Sequence, residues 1–165
     1  MLEFCYQNPD EFDQYARQMF SILAENMSRI APTGNPYEAD FRTWYESTEY
    51  AMKNPERHII LLLEGEELAG FFQYALRGDA FRMEEIQLRS SYHGTGRVFR
   101  RLYGFVIPQL PENCRFVEAS ARKENAKSNG ILTRLGLRCV GENPNGNSNL
   151  YRGMMNDLKT WLGEY

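Results

Sequence analysis

The stretch Ile86-Gln87-Leu88-Arg89-Ser90-Ser91-Tyr92-His93-Gly94-Thr95-Gly96-Arg97-Val98 decides how the chain is read. It runs from the end of a strand through a short turn and a glycine-rich loop into a helix. Glycines let a backbone come close to a phosphate, and successive N–H groups can converge on it. A helix N-terminus adds a partial positive charge of ~0.5 units. Arg97, Arg100 and Arg101 could add charge-assisted bonds. Alone, a Gly-x-Gly before a helix also fits a plain turn. No Lys-Ser/Thr follows, which excludes a Walker-type phosphate loop. A hairpin precedes the stretch and no acidic residue follows a second parallel strand, which argues against a dinucleotide fingerprint.

Working outward, Leu2 to Gln7 reads as a strand. Asn8-Pro9-Asp10-Glu11 then reads as a helix start, with Asn as cap and Pro in the first turn. Phe12, Ala16, Met19, Phe20, Leu23 and Met27 follow at helical spacing. A second helix carries Phe41, Trp44, Tyr45, Thr48 and Met52. His58 to Glu64 and Leu68 to Leu76 form a hairpin, and Phe81 to Leu88 is a third strand. Past the glycine loop, a helix runs to about Val106, followed by a strand at Phe116 to Ala121 and a helix at Asn125 to Leu135. Leu137 to Gly141 and Asn149 to Gly153 are two further strands, and Met155 to Trp161 is amphipathic. The order β-α-α-β-β-β-α-β-α-β-β predicts an α/β (α+β) fold with a mixed sheet of about seven strands and about four helices. The 165 residues suit one domain, which at this size buries roughly two-thirds of its unfolded surface.

The central segment resembles the pyrophosphate loop of the GNAT acetyltransferase superfamily, a strand, then Y-Q/R-x-x-G-x-G/A, then a helix. Tyr92 stands at the aromatic position and Gly96 at the first obligatory glycine. His93 replaces the usual Gln or Arg, and Val98 the usual small residue. A second stretch, Asn125-Ala126-Lys127-Ser128 with Leu132 and Leu135-Gly136-Leu137, is similar to the family's N-x-x-A/S-x-x-x-Y-x-x-x-G-F segment and lies where the family places it. The resemblance covers about residues 58 to 153 and identifies the chain as a member of the superfamily. Residues 1 to 57 match only its order of a strand and two helices.

The resemblance implies a function. Acetyl-CoA would be the cosubstrate, and the acyl group would pass directly to a primary amine with no covalent enzyme intermediate. Gln87, Leu88 and Arg89 would receive the pantetheine arm as an added strand would. His93, Gly94, Thr95, Gly96, Arg97 and Val98 would hold the pyrophosphate, and Asn125 and Ser128 would touch the cofactor. Asn125 is equally an N-cap by its chemistry alone. The Leu88 N–H would be the oxyanion donor. Glu84 shares its strand face with Ile86 and Leu88 and is the expected base. Leu132 stands where many relatives have a general-acid Tyr, so Tyr92, Tyr103 and Tyr151 remain as acids. The competing expectation is a catalytically silent module that binds CoA or another ligand. Many relatives are homodimers, so the resemblance also admits a dimer.

The charge distribution fits a local anionic ligand and equally a solvated basic helix face. The formal net charge is −3. Between Arg89 and Arg134 nine basic residues face three acidic ones, a local +6 that leaves −9 for the rest. Neither a nucleic-acid nor a membrane-surface role is suggested. Asp10, Glu11, Asp13, Glu25, Glu38, Asp40, Glu46 and Glu49 make the N-terminal helices acidic, which would attract a cationic amine or equally serve helix solubility alone. Three widely spaced cysteines without a C-x-x-C suggest neither a disulfide framework nor a metal site. No basic, apolar leader opens the chain, so the cytoplasm is the expected compartment.

Overall fold

The computed structural model describes residues 1–94 and 96–163. Its elements follow the expected order: β1 (Glu3–Tyr6), α1 (Phe12–Met27), α2 (Tyr37–Ala51), β2 (Arg57–Glu64), β3 (Glu67–Arg77), β4 (Ala80–Leu88), α3 (Gly96–Val106), β5 (Phe116–Arg122), α4 (Ala126–Arg134), β6 (Arg138–Glu142), β7 (Ser148–Met154) and α5 (Met155–Gly163). The seven strands form one mixed sheet in the order β1-β2-β3-β4-β5-β7-β6. The chain divides into two compact units, 1–74 with 85–95, and 75–84 with 96–165. β3 and β4 therefore change unit partway along their length.

In the first unit, β1 pairs antiparallel with β2 from Glu3↔Leu63 to Tyr6↔Ile60. The Asn8-Pro9 start forms a single 3-10 turn, Pro9–Glu11, in which Asn8 Oδ1 accepts the Asp10 N–H at 3.1 Å. The regular helix begins only at Phe12, one turn later than the capping residues suggest. α1 buries Phe12, Ala16, Met19, Phe20 and Ile22. Four of these, Phe12, Ala16, Met19 and Ile22, share a core with Ile59, Leu61, Leu68 and Phe71. α2 is held mainly by aromatic contacts, with Trp44 5.7 Å and Tyr45 5.2 Å from the Phe12 ring and Phe41 5.5 Å from Phe20.

In the second unit, β4 and β5 pair in parallel from Ala80↔Phe116 to Met83↔Ala119. β5 continues antiparallel to β7 over seven register pairs. β7, the last strand in sequence, thus lies between β5 and β6, and β6 is the edge. The β6 ladder is irregular between Cys139 and Gly141, and Val140, like the rest of this strand, is exposed. A bulge of this kind blunts an open edge against unwanted strand pairing. α3 buries Val98, Leu102, Tyr103 and Val106, and α5 buries Met155 and Leu158. Among the described residues no helix is long and apolar enough to cross a membrane.

Candidate acyl-CoA site

The end of β4 is fixed against β3 by a glycine. Leu88 lies opposite Gly70, and a Cβ built on Gly70 would sit 2.5 Å from the Gln87 carbonyl oxygen and 3.2 Å from Leu88 Cα. No side chain fits there, so the bare backbone of β3 is what lets β4 approach. The Gln87 carbonyl therefore faces β3. Across a trans peptide, the Leu88 N–H points to the opposite edge of β4. The next peptide faces back, since the Arg89 N–H donates to the Ala69 carbonyl at 2.9 Å. Leu88 itself is only 7% exposed.

The Leu88 carbonyl accepts two side-chain donors. Asn26 Nδ2, from the last turn of α1, reaches it at 2.9 Å and also donates to Gln87 Oε1 at 2.9 Å. His93 Nε2 lies 2.8 Å from the same oxygen. A carbonyl only accepts, so Nε2 carries the hydrogen. Gln87 Nε2 in turn donates to Glu85 at 2.9 Å. Arg89 turns back, its Nε donating to the Leu68 carbonyl.

After β4, residues Ser90–Tyr92 make one 3-10 turn closed by the Tyr92 and His93 N–H groups. The Tyr92 hydroxyl donates to the Glu64 carboxylate, which pushes the phenol pKa up and the carboxyl pKa down. Gly94 follows at φ +80°, a left-handed conformation that L side chains rarely adopt. Thr95 lies outside the described residues.

In the second unit, α3 starts at Gly96, which is exposed and has nothing within 4 Å of a built Cβ. That open approach suits a ligand at the helix N-terminus. Arg97 is exposed. Val98 is 5% exposed, its side chain turned into the core, so crowding by this non-glycine residue is avoided and only its backbone could meet a phosphate. Arg100 is committed elsewhere, lying 4.2 Å over the Trp161 ring and donating to the Trp161 carbonyl at 2.9 Å.

At α4, Asn125 is the N-cap, its Oδ1 accepting the Ser128 N–H at 3.1 Å. A residue that sequence reading missed here is Asn129. Its Nδ2 donates to the Arg122 and Asn125 carbonyls, both at 2.8 Å. Its Oδ1 accepts from Asn149 at 3.0 Å and from the Tyr151 hydroxyl at 2.6 Å. Both donors and both lone pairs are used, which ties the start of α4 to β5 and β7. Sequence offers one hint, that Asn129 stands one turn after Asn125 in a helix with few polar reasons to repeat Asn.

The expected acids and bases are placed as follows. Glu84 lies on β4, half-buried. Leu132 is buried. Tyr151 is engaged by Asn129, and Tyr92 by Glu64. Tyr103 is 2% exposed, and desolvation pushes its phenol pKa far up, so it is poorly placed to give a proton to a ligand. Part of the N-terminal acidity is already partnered. Glu38 pairs with Arg17 at 2.7 Å, Asp13 accepts the Tyr45 hydroxyl, and Asp40 accepts from Thr33 and Asn35.

No family model and no curated protein matches this sequence. Solved structures do. An acetyltransferase from Thermus thermophilus superposes with TM-score 0.73 at 18% identity, covering 94% of this chain and 97% of that one. The PaiA N-acetyltransferase from Thermoplasma acidophilum, solved with coenzyme A, gives 0.72 at 9% identity over 93% and 99%. A GNAT-family protein from Desulfovibrio desulfuricans gives 0.68 at 18% identity over 93% and 99%. Identities this low speak for architecture alone: over more than nine-tenths of its length the chain has the GNAT acetyltransferase fold.

Proposed function

We propose that the protein is an N-acyltransferase that moves an acetyl group from acetyl-CoA to a primary amine. The observation that carries this reading is the run from Leu88 to Gly96. A strand end with an outward N–H leads through left-handed Gly94 to an uncovered Gly96 at the head of an eleven-residue helix. The N–H groups at Gly96 to Val98 bind the pyrophosphate, and Thr95 and Arg97 are assigned to the same ligand. Gln87 to Arg89 take the pantetheine arm, and Asn125 and Ser128 meet the cofactor from α4. The fold and the CoA-bound neighbour support this assignment.

Chemically the demands are modest. The amine attacks the thioester carbonyl, a C–N bond forms, and the C–S bond breaks. The Leu88 N–H meets the negative charge that develops on the carbonyl oxygen. Glu84 accepts the amine proton, directly or through a water. The leaving thiol has a pKa near that of cysteine, ~8.5, so it departs as thiolate with little need of an acid. This reconciles turnover with a buried Leu at position 132. The same Leu132, with the Tyr151 and Tyr92 hydroxyls engaged, also favours a second reading, a module that binds CoA without turnover.

A screen of amines with acetyl-CoA, read as free thiol released, separates the two. Turnover with at least one amine is expected, and Glu84→Gln should lower kcat by ~10²-fold or more while flattening the acidic, ascending limb of the pH–rate profile. Turnover with an unaltered profile in that variant would remove Glu84 as base. Binding without turnover on any amine would select the silent module.

A further inference from the structure

Asn26 is a polar residue on the apolar face of α1, one turn beyond buried Ile22. Its amide gives both hydrogens to the site strand, one to Gln87 Oε1 and one to the Leu88 carbonyl, each at 2.9 Å. The peptide joining Leu88 to Arg89 is thereby anchored at both polar ends, by Ala69 on its N–H and by Asn26 with His93 on its carbonyl. The peptide before it is set by the close approach of Gly70. Leu88 thus has its backbone pinned on both sides where the strand ladder ends and the chain turns away.

We propose that Asn26 is a positioning residue for recognition of the acyl thioester. It holds the Leu88 backbone so that the Leu88 N–H, on the same edge of β4, is aimed at the thioester oxygen. The role rests on the acyl-CoA reading above. It predicts where Asn26 matters, which is in distinguishing acetyl-CoA from CoA, because only the acetylated form carries that oxygen. Asn26 meets the strand end that takes the pantetheine arm, whereas the pyrophosphate and the α4 side of the cofactor, common to both ligands, are assigned to Gly96 to Val98, Asn125 and Ser128, outside these hydrogen bonds.

The test uses the full chain and two ligands, acetyl-CoA and CoA, by calorimetry. Wild type should prefer acetyl-CoA by about fivefold, the worth of one net hydrogen bond. Asn26→Leu and the isosteric Asn26→Asp, which cannot donate to Leu88, should bring that ratio to near one while leaving CoA affinity within about threefold. With a ¹³C-labelled acetyl carbonyl, the infrared C=O stretch of bound ligand should fall in wild type and return toward its free value in the variants. Asn26→Asp keeps size and shape, so it remains readable if Asn26→Leu fails to fold. An unchanged ratio and stretch in a folded variant overturns the role of Asn26 alone. Wild type binding both ligands equally, with no infrared shift, overturns it too. Wild type binding neither ligand overturns the acyl-CoA reading and this role with it.

Discussion

A methyl group at Gly70 would meet the Gln87 and Leu88 backbone as well as the Leu88 side chain. Gly70→Ala places its Cβ against the Gln87 carbonyl, so β3 and β4 must part. Overpacking of this kind costs ~1–3 kcal/mol, which denaturant unfolding would read, and it should weaken acetyl-CoA binding as the Leu88 backbone shifts. Gly94→Ala strains a left-handed residue instead, at ~1–2 kcal/mol. His58 supplies a pH prediction. Its ring lies tilted 5.1 Å from that of Tyr74, and desolvation lowers its pKa below the ordinary 6.5, opposed in part by Glu56. A depressed histidine pKa means that the unfolded chain binds the proton first. Stability is therefore full above about 6.5 and is lost as pH falls below it. The melting temperature of His58→Phe should fall less steeply than wild type between pH 7 and 5; parallel curves would contradict this. None of Gly70, Asn26 and Asn129 could be found from sequence as site residues, since each acts through partners up to tens of positions away. Asn26 did leave a trace, a polar residue at a core position of α1.

At the scale of elements, Asn129 is the clamp of α4. Asn129→Ala removes four hydrogen bonds and leaves the Arg122 carbonyl and Tyr151 hydroxyl without this partner. A loss of about 2–3 kcal/mol is expected from net bond energies near 1 kcal/mol, discounted for partial exposure. Tyr151→Phe removes one bond and should cost about 1 kcal/mol. Equal losses would mean that packing, not the amide network, anchors the helix. Periodicity located the strands and α1 to α4, because apolar spacing and Gly/Pro punctuation act locally, and showed α5 only as an amphipathic piece beyond the expected four helices. It misjudged the start of α1, where Pro9 and Asn8 close a 3-10 turn before the helix proper. It also could not show that Arg100, read as a phosphate ligand, is used by Trp161, a contact set by α5.

For the whole molecule, the order of elements was legible and the order of strands in the sheet was not. β7 sits between β5 and β6 because its ladder to β5 spans seven register pairs, a long-range match that no local pattern reports. The glycine loop was legible as a motif; the left-handed Gly94 and the open Gly96 were not. The central claim is that this loop receives the pyrophosphate of an acyl-CoA. Calorimetry with acetyl-CoA, against ATP and with Gly96→Asp, tests it most directly. The account predicts ~micromolar binding of acetyl-CoA that ATP does not reproduce and that a carboxylate at position 96 abolishes. No heat with any CoA species, or affinity unchanged in Gly96→Asp, would contradict it.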